Sequence, residues 1–307
     1  MKQITLLGEI LVDLIGDQNL NFSPVSGGSI FNTASSLAKL EACTSFISQI
    51  GDDFWGKYLL DNMSQIGIDV SYLSITKDFK TPLAFAIIDS NGNASYDFYK
   101  SKFNLNIENN NFDNTGIFHF GSFFSILEEN QQIINNIFNV SKKNDFLISY
   151  DPNYRKNFPQ SLTKNLINNF KNSSIIKTSF EDLNNIFGAN NIKECFTFLK
   201  DFNPILAIVT DGKNGAFASI NGNDFIKSDC FDVKIVDTIG AGDNFSSGIL
   251  FFLYKNNIFT KNDLKDINND SLYKMLSFGN TIAGECLKIK GASIDKQRLL
   301  EVKTSTF

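Results

Sequence analysis

The sequence contains a single histidine, His119, and four cysteines (Cys43, Cys195, Cys230 and Cys286) that lie far apart and form no CxxC pair. This composition argues against a zinc site built from Cys and His, and it fits a reduced, cytosolic protein. Every histidine-dependent triad or acid–base pair would have to use His119. A carboxylate is therefore the more economical general base, and we expect His119 to be structural and hydrogen-bonded.

Basic residues are too few for a broad nucleic-acid-binding surface, since 28 Lys and Arg face 33 Asp and Glu, a formal net charge of −5. A local site for a small anion is still compatible with this balance. No apolar run approaches the ~20 residues of a membrane-spanning helix. Glu9 and Asp13 also interrupt the first apolar segment, which argues against a signal peptide. We therefore expect a cytoplasmic protein with small-molecule partners and with neither nucleic acid nor membrane as a partner.

Strand-like and helix-like segments alternate along most of the chain. Short apolar runs predict strands at 45–50, 116–120, 146–150, 174–178 and 205–210. Helical spacing of apolar residues predicts helices at 30–40, 54–66, 126–142, 161–171, 180–187 and 192–200. This alternation predicts an α/β fold with a mainly parallel sheet covered by helices, and ligands are expected at the carboxyl ends of its strands.

One segment departs from the alternation. The apolar runs at 83–88 and 94–99 flank Asn91-Gly92, a dipeptide typical of a tight hairpin turn. An antiparallel hairpin among strand–helix units predicts a second, small sheet set apart from the first. We assign residues 11–27 and 81–103 to this small β lid, and residues 1–10, 28–80 and 104–307 to the α/β core.

The segment with the clearest chemistry is Asp237-Thr-Ile-Gly-Ala-Gly-Asp243, which follows a predicted short strand at 233–236 and precedes a strongly apolar helix. The small residues Gly240, Ala241 and Gly242 leave main-chain N–H groups open at a helix start, which is an anion site suited to a phosphoryl group. Asp243 lies beside it and can accept the proton of an attacking alcohol. The alternative is a glycine-rich turn in which Asp243 merely caps the helix.

Residues 237–243 closely resemble the C-terminal signature of the ribokinase-like (PfkB) carbohydrate kinases. The segment Gly27-Gly28-x-x-x-Asn32-x-Ala34, followed by Ile50-Gly51-Asp52-Asp53-x-x-Gly56, resembles the N-terminal signature of the same family. Two signatures in the right order are more specific than either alone, and the resemblance covers essentially the whole chain. Within the family, fructokinases are the most similar at residues 8–13, 81–85, 118–122, 151–155 and 177–183.

The resemblance implies a ribokinase-like three-layer core and a sugar kinase that uses ATP and Mg²⁺. Asp243 would deprotonate a primary hydroxyl, and fructose would become fructose 6-phosphate. The main-chain N–H groups at 240–242 would stabilise the transferred phosphoryl group. A 2-keto-3-deoxygluconate kinase, another sugar or nucleoside kinase of the family, and a non-catalytic sugar-binding regulatory protein are the alternatives. A Rossmann-type oxidoreductase is disfavoured, because no G-x-G-x-x-G follows the first strand.

The resemblance also implies the sugar contacts. Asp13 would bind sugar hydroxyls, although a strand-edge charge is the alternative. Gly27 and Gly28 would let the sugar approach bare main chain. Asn32 would bond one hydroxyl, with a helix N-terminal cap as the alternative.

Three further residues bear on the choice of sugar. In the related 2-keto-3-deoxygluconate kinases, tyrosine and arginine positions help to hold the substrate carboxylate. Phe98 lacks the phenol oxygen, and Lys100 replaces a bidentate arginine, which favours a neutral ketohexose. Arg155 is retained, so the acidic sugar stays an alternative.

For the nucleotide, the resemblance implies contacts at Lys177, Ser179, Thr210, Gly212, Gly215 and Asn280. Asp182 would organise Mg²⁺ indirectly, and an ordinary acid at a helix start is the alternative. Asp237 with nearby carbonyls resembles a monovalent-cation site, so K⁺ is a further expected ion. Family members often pair through the lid, which makes a homodimer compatible with the sequence.

Two features are set aside. Residues 51–58 nearly spell a phosphate-binding P-loop, but the final Ser or Thr is absent and two acids would repel phosphate. Glu41 stands where the family commonly has a glycine at the end of the first helix. That departure concerns a helix end and not the chemistry.

Overall fold

The computed structural model describes residues 2–16, 21–88, 94–105, 107, 112–154 and 159–307. The strands in these ranges are β1 (Gln3–Leu7), β2 (Leu11–Gly16), β3 (Phe22–Gly27), β4 (Thr44–Gly51), β5 (Leu73–Thr76), β6 (Leu83–Ile88), β7 (Ala94–Tyr99), β8 (Thr115–Gly121), β9 (Leu147–Asp151), β10 (Ile175–Ser179), β11 (Leu206–Thr210), β12 (Ala216–Ile220) and β13 (Ile226–Ser228). The α-helices are α1 (Ser29–Lys39), α2 (Phe54–Ile66), α3 (Gln131–Asn144), α4 (Thr163–Lys171), α5 (Phe180–Phe187), α6 (Ile192–Lys200), α7 (Ala241–Lys255), α8 (Lys261–Lys265), α9 (Asn269–Leu287) and α10 (Lys296–Thr306).

Within the described ranges, nine strands form one large sheet in the order β13-β12-β11-β10-β9-β8-β1-β4-β5. Neighbouring strands are parallel, except that β12 runs antiparallel to both β11 and β13. Every residue of β4 and β8 is buried, as expected for strands covered by helices on both faces. The predicted α/β fold with a mainly parallel sheet is confirmed.

The core is divided by this sheet into two layers. Successive residues of one strand enter opposite layers, because side chains alternate along a strand. Leu6, for example, packs with the layer that contains α1, α7 and α9, whereas Leu7 packs with the layer that contains α3 and α4. The second layer is rich in rings, among them Phe118, Phe120 and Tyr150.

The small sheet has the order β3-β2-β6-β7 among the described residues. Strands β6 and β7 form the predicted antiparallel pair, from Leu83 opposite Tyr99 to Ile88 opposite Ala94. The Asn91-Gly92 turn itself lies outside the described residues. Strand β2 joins the pair in parallel to β6, and β3 lies antiparallel to β2. The second sheet is confirmed, while the domain boundaries stay a prediction.

The predicted strand at 233–236 is wrong. That segment has no regular secondary structure, and the Val236 N–H donates to Leu287 O at the end of α9 at 2.8 Å. Ile235 and Val236 are 60% and 59% exposed. The apolar run therefore lies along a helix end and has no strand partner. The helix predicted at 126–142 also starts later, at Gln131, after two short 3-10 turns.

Helix α1 is followed by a left-handed turn of the kind that usually contains glycine, but the residue at this position is Glu41. Glu41 has φ of 68°, a left-handed conformation, and its N–H donates to Ala38 O at 2.9 Å. A glycine adopts this conformation without the steric cost that a side chain brings. The chain thus keeps the turn and accepts strain at Glu41. None of the helices in the described ranges is long and apolar enough to cross a membrane.

Candidate active site

The start of helix α7 is fixed from both sides. Gly240 precedes the helix with φ of 77°, and a Cβ at this position would collide with Ala292. The Asn244 side-chain amide donates to Gly240 O at 3.0 Å and to Ala292 O at 2.8 Å. Only a residue without a side chain fits at 240, and the turn at 292 holds the helix start in place.

Three main-chain N–H groups at this helix start have no acceptor among the described residues. Ala241 N–H donates to Thr238 O at 3.4 Å, and Asn244 N–H donates to Gly240 O at 2.9 Å. In the part of the chain that the structure describes, the N–H groups of Gly240, Gly242 and Asp243 have no acceptor. The open donors are thus at 240, 242 and 243; of the predicted set of 240–242, only the Ala241 N–H is bonded within the protein. A helix N-terminus with open N–H groups favours an anion.

The Asp243 carboxylate is hydrogen-bonded to side chains of helix α1 and not to the main chain of its own helix. Ser29 Oγ donates to Asp243 Oδ1 at 2.6 Å, and Asn32 Nδ2 donates to Asp243 Oδ2 at 2.8 Å. Asn153 Nδ2 in turn donates to Ser29 Oγ at 2.9 Å. Burial raises the pKa of Asp243 above its ordinary value, and the bonds from Ser29 and Asn32 act in the opposite direction. The carboxylate caps no helix, and neither does Asn32, because Gly28 precedes α1 without a side-chain cap.

A buried ion pair lies next to the open donors. Lys177 Nζ donates to Asp151 Oδ2 at 2.8 Å, and Ser246 Oγ donates to the same oxygen at 3.0 Å. Lys177 Nζ is also 3.3 Å from the place that a Cβ of Gly242 would take. Burial disfavours the ammonium, but Asp151 and nearby carboxylates outweigh it and raise the pKa of Lys177. A permanent positive charge therefore faces the helix start.

Sequence reasoning did not select Ser29, Asp151, Asn153 and Ser246 as site residues. Asp151 and Asn153 belong to the Asp-Pro-Asn run at the end of β9, the sheet edge where ligands were expected. Their position at this sheet edge was the feature of the sequence that could have identified them as site residues. Ser29 and Ser246 gave none, since an isolated serine near a helix start is ordinary.

Ser179 and Asp182 form a capping box at the start of α5. Asp182 N–H donates to Ser179 Oγ at 3.0 Å, and Ser179 N–H donates to Asp182 Oδ2 at 3.1 Å. Asp182 therefore has the structural role of an acid at a helix start, which is the alternative to its predicted role at Mg²⁺. Asp182 is nevertheless buried, and both burial and the nearby Asp151 raise its pKa.

The remaining residues assigned to the nucleotide lie along the neighbouring edge. Thr210 Oγ1 donates to Thr178 O at 3.4 Å, which places it beside the end of β10. A Cβ on Gly215 would collide with Ser228 O, and the Asn280 side-chain amide donates to that same carbonyl at 3.1 Å. Gly212, with φ of 49°, begins the short turn between β11 and β12.

Asp13 and the paired glycines meet where the small sheet joins the core. A Cβ on Gly27 would collide with the Asp13 carboxylate, and a Cβ on Gly28 would collide with Glu9 O. The glycines therefore make room for protein atoms of this chain, which differs from the expected reason. Burial, followed by the neighbouring Glu9 charge, raises the pKa of Asp13 to about 6, with Lys100 acting against both.

Lys100 forms an ion pair with Glu9. Its Nζ lies 2.7 Å and 2.9 Å from the two carboxylate oxygens of Glu9, and 4.9 Å from the centre of the Phe98 ring. Phe98 is 57% exposed on β7. Arg155, the third residue assigned to sugar choice, lies outside the described residues. The predicted sugar end of the site contains Glu9, Asp13 and Lys100 among its described residues. When all three are ionised, their net charge is negative.

Asp237 joins two loops. Its carboxylate accepts from Ile239 N–H at 3.0 Å and from Gly291 N–H at 2.9 Å. Burial raises the pKa of Asp237, but the bonds from Gly291, Ile239 and Thr238 outweigh it and bring the pKa below its ordinary value. The group is therefore an ionised acceptor at neutral pH. In the described ranges, no cluster of three or more His, Cys, Asp or Glu side chains is arranged to hold a metal ion.

The P-loop-like segment 51–58 and His119 both have structural roles. Asp53 accepts from Gly56 N–H at 2.8 Å and caps α2, so the P-loop-like segment 51–58 is a strand-to-helix turn. His119 is buried in β8, with Nδ1 3.0 Å from Ser149 Oγ. Burial lowers the pKa of His119 to about 4, which keeps the ring neutral at physiological pH.

Comparison with proteins of known sequence finds relatives over nearly the whole chain. The chain is 28% identical to an ATP-dependent 6-phosphofructokinase of Thermoanaerobacterium thermosaccharolyticum, over 98% of this chain and 92% of that protein. It is also 28% identical to fructokinase-2 of Oryza sativa subsp. japonica, over 94% of this chain and 89% of that protein.

Solved structures share the fold. A fructokinase with bound ATP from Xylella fastidiosa superposes with a TM-score of 0.89 at 22% identity, covering 99% of both chains. A fructokinase double mutant from Vibrio cholerae, bound to fructose, ADP and potassium, gives 0.85 at 22% identity and 98% of both chains. The family model for pfkB carbohydrate kinases matches residues 1–298. The chain therefore belongs to the pfkB family of carbohydrate kinases.

Proposed function

We propose that this protein is an ATP-dependent fructokinase that transfers the γ-phosphoryl group of ATP to the 6-hydroxyl of fructose. The observation that carries the proposal is the Asp243 carboxylate beside the open N–H groups of residues 242 and 243 and the Lys177 ammonium. Membership of the pfkB family gives the reaction class, and relatives named fructokinase support fructose as the acceptor.

In the proposed reaction, Asp243 accepts the proton of the sugar hydroxyl. The hydroxyl oxygen forms a bond to the γ-phosphorus, the bond from that phosphorus to the β–γ bridging oxygen breaks, and ADP leaves. A carboxylate has about four acceptor positions, so Asp243 can accept from the hydroxyl while Ser29 and Asn32 hold it. The raised pKa of Asp243 makes it a stronger base than an exposed aspartate.

Charge on the transferred group is met by fixed donors. The N–H groups of Gly242 and Asp243 and the Lys177 ammonium face the position where the phosphoryl group would pass. Asp151 and Ser246 hold Lys177 in that position. We assign the binding of the ATP phosphates and base to Ser179, Thr210, Gly212, Gly215 and Asn280, as the sequence predicts.

Two ions complete the proposal. Mg²⁺ commonly keeps several waters and is bound through one or two carboxylates and substrate phosphates, so the single carboxylate of Asp182 would suffice. Asp182, with one carboxylate oxygen committed to its capping box, would hold the ion through water, and the ion would shield phosphate charge. Asp237, ionised between two loops, would help to hold K⁺, the ion bound in the Vibrio cholerae structure.

A neutral acceptor fits the charges at the sugar end. Lys100 is paired with Glu9, and Asp13 adds a second carboxylate nearby. A carboxylated or phosphorylated sugar would meet repulsion there. This favours fructose over 2-keto-3-deoxygluconate, and over the phosphorylated acceptor that the name of the Thermoanaerobacterium relative implies.

We further propose that the small sheet is a lid over the sugar, with residues 11–27 and 81–103 moving as one unit. On the face of the small sheet opposite to Asp13, the exposed Phe22 and Tyr99 flank Phe85 and offer an apolar surface through which two copies would pair. The cytoplasm is the proposed location, since ATP is the donor and Cys43, Cys195, Cys230 and Cys286 form no disulfide in the described structure. Light scattering of the wild type and of a Phe22→Ser/Tyr99→Ser variant tests the pairing.

An acceptor panel tests the function. ADP release is measured with ATP and Mg²⁺ and with fructose, ribose, 2-keto-3-deoxygluconate, adenosine or fructose 6-phosphate as the acceptor. The expected result is the highest kcat/KM with fructose. A higher kcat/KM with any other acceptor overturns the choice of sugar, and no turnover with any acceptor favours the regulatory alternative.

A further inference from the structure

A second cavity lies at the opposite edge of the large sheet from Asp243. Its volume is about 720 Å³, within the range of roughly 300–1,000 Å³ that is usual for small-molecule sites. Its floor includes Ser174 and Ile205, which immediately precede β10 and β11. Its walls come from the end of α4, from α6 and α8, and from the turn between β12 and β13. No residue assigned above to sugar, nucleotide or metal lines it.

The cavity is strongly basic in an acidic protein. Its lining includes one acid, Asp224, and five lysines: Lys171, Lys193, Lys200, Lys261 and Lys265. The whole chain has a net charge of −5. Among the described residues, none of the five lysines is in an ion pair. No carboxylate of the described residues lies within ion-pair distance of them, and Asp224 alone offsets part of their charge in the lining.

Helix dipoles explain only part of this cluster. Lys171, Lys200 and Lys265 are the last residues of their helices, where a cation is favourable. Lys193, by contrast, lies in the first turn of α6, where a cation is unfavourable. Lys261 is likewise the first residue of α8. Two cations thus line the cavity without support from their own helices.

The frame of the cavity is tied together by main-chain bonds. Ile205 N–H donates to Ser174 O at 2.9 Å, and Asn221 N–H donates to Ile205 O at 2.8 Å. The aliphatic part of Lys200 lies over Gly222. Phe196 and Phe225 stack with centroids 4.8 Å apart and supply an apolar wall. The cavity therefore combines a fixed frame, an apolar wall and a lining with an excess of positive charge.

We propose that this cavity binds a small polyanion, of the class of metabolites that carry two or more phosphate or carboxylate groups. Such a ligand supplies the missing negative charge within a volume that suits a metabolite. The cavity is a separate site from that of the proposed reaction, because a five-residue strand separates it from the phosphate residues by roughly 16 Å. Strands β10 and β11 connect the two places, ending at Ser179 and Thr210.

The test uses inorganic pyrophosphate as the probe and isothermal titration calorimetry at 50 mM salt. Lys193→Gln/Lys200→Gln/Lys265→Gln removes three cavity charges. Lys142→Gln/Lys143→Gln/Lys274→Gln removes the same charge from exposed positions on α3 and α9 and serves as the control. We expect at least a tenfold loss of affinity in the cavity variant and none in the control, with unchanged thermal unfolding in both.

Equal pyrophosphate affinity in the cavity variant and the wild type would assign binding to the phosphate residues of the active site and overturn the proposal. The absence of binding to the wild type would overturn it as well. Binding of heparin or RNA through these lysines, with no binding of pyrophosphate, would assign the patch to a macromolecule instead. The titration requires no turnover, so its outcome is independent of the acceptor panel.

Discussion

Lys177 and Asp151 form an ion pair of 2.8 Å whose side chains are only 9% and 4% exposed, directly beside the start of helix α7. Asp151 thereby fixes the ammonium that faces Gly242. The pair belongs to β9 and β10, adjacent strands of the large sheet. Its geometry is therefore set by the rigid part of the fold.

The first prediction separates stability from activity at this pair. Asp151→Asn leaves the Lys177 charge buried without its carboxylate, which typically costs about 3–5 kcal/mol. The double variant Asp151→Asn/Lys177→Met removes both charges, so we expect most of that stability to return while kcat stays low. Urea unfolding and steady-state kinetics measure the two effects. Recovery of kcat in the double variant would show that the ammonium has no part in phosphoryl transfer.

The second prediction concerns Asp243→Asn. General base catalysis commonly contributes about 10²–10⁴-fold, so kcat should fall by that factor while fructose binding persists. Because its pKa is raised in the fold, Asp243 lowers the stability of the wild type as pH rises through the interval between its ordinary pKa and its raised pKa. The variant should consequently be at least as stable at pH 7. Asp61→Asn, at an exposed position of α2, is the control. Turnover near that of the control would exclude Asp243 as the base.

The third prediction is a pH dependence of sugar binding. Asp13 has a pKa of about 6, so it becomes protonated as pH falls from 7 to 5 and loses its negative charge. We expect KM for fructose to rise across that interval in the wild type. In Asp13→Asn, KM should be high at every pH, because the amide does not titrate there. A KM profile that the substitution leaves unchanged would favour the strand-edge alternative for Asp13.

The fourth prediction concerns the left-handed Glu41. Both Glu41→Gly and Glu41→Ala remove the exposed ion pair with Lys303, but only glycine relieves the left-handed conformation. That relief amounts to roughly 1 kcal/mol. We expect the free energy of unfolding, measured with urea, to be higher for the glycine variant than for the alanine variant by about that amount. Equal stability would mean that the turn relaxes in the alanine variant.

Local signals in the sequence predicted much of this fold. Gly67 ends α2 in a left-handed conformation with φ of 85°, as a glycine after a helical run predicts. Asp243 lies in the first turn of an apolar helix, as its spacing from Gly240 predicts. The segment 233–236 failed because an apolar run indicates a strand only if a partner strand is available, and here the neighbour is the end of α9.

The connections within the site were beyond local signals. Ser29, Asn153 and Asp243 come from three distant segments that only the sheet topology brings together. The pairing of Lys177 with Asp151 likewise depends on which strands are neighbours. Sequence motifs predicted several of the site residues, whereas the hydrogen bonds between those residues could be identified only from the three-dimensional structure.

The bonds from Asn244 to Gly240 and Ala292 have an energetic consequence for the reaction. Because the fold itself orients the donors at the start of α7, no rearrangement of these dipoles is needed when a phosphate arrives. Solvent water would have to reorient around the same charge as it developed. The protein replaces that reorganisation with an arrangement completed during folding.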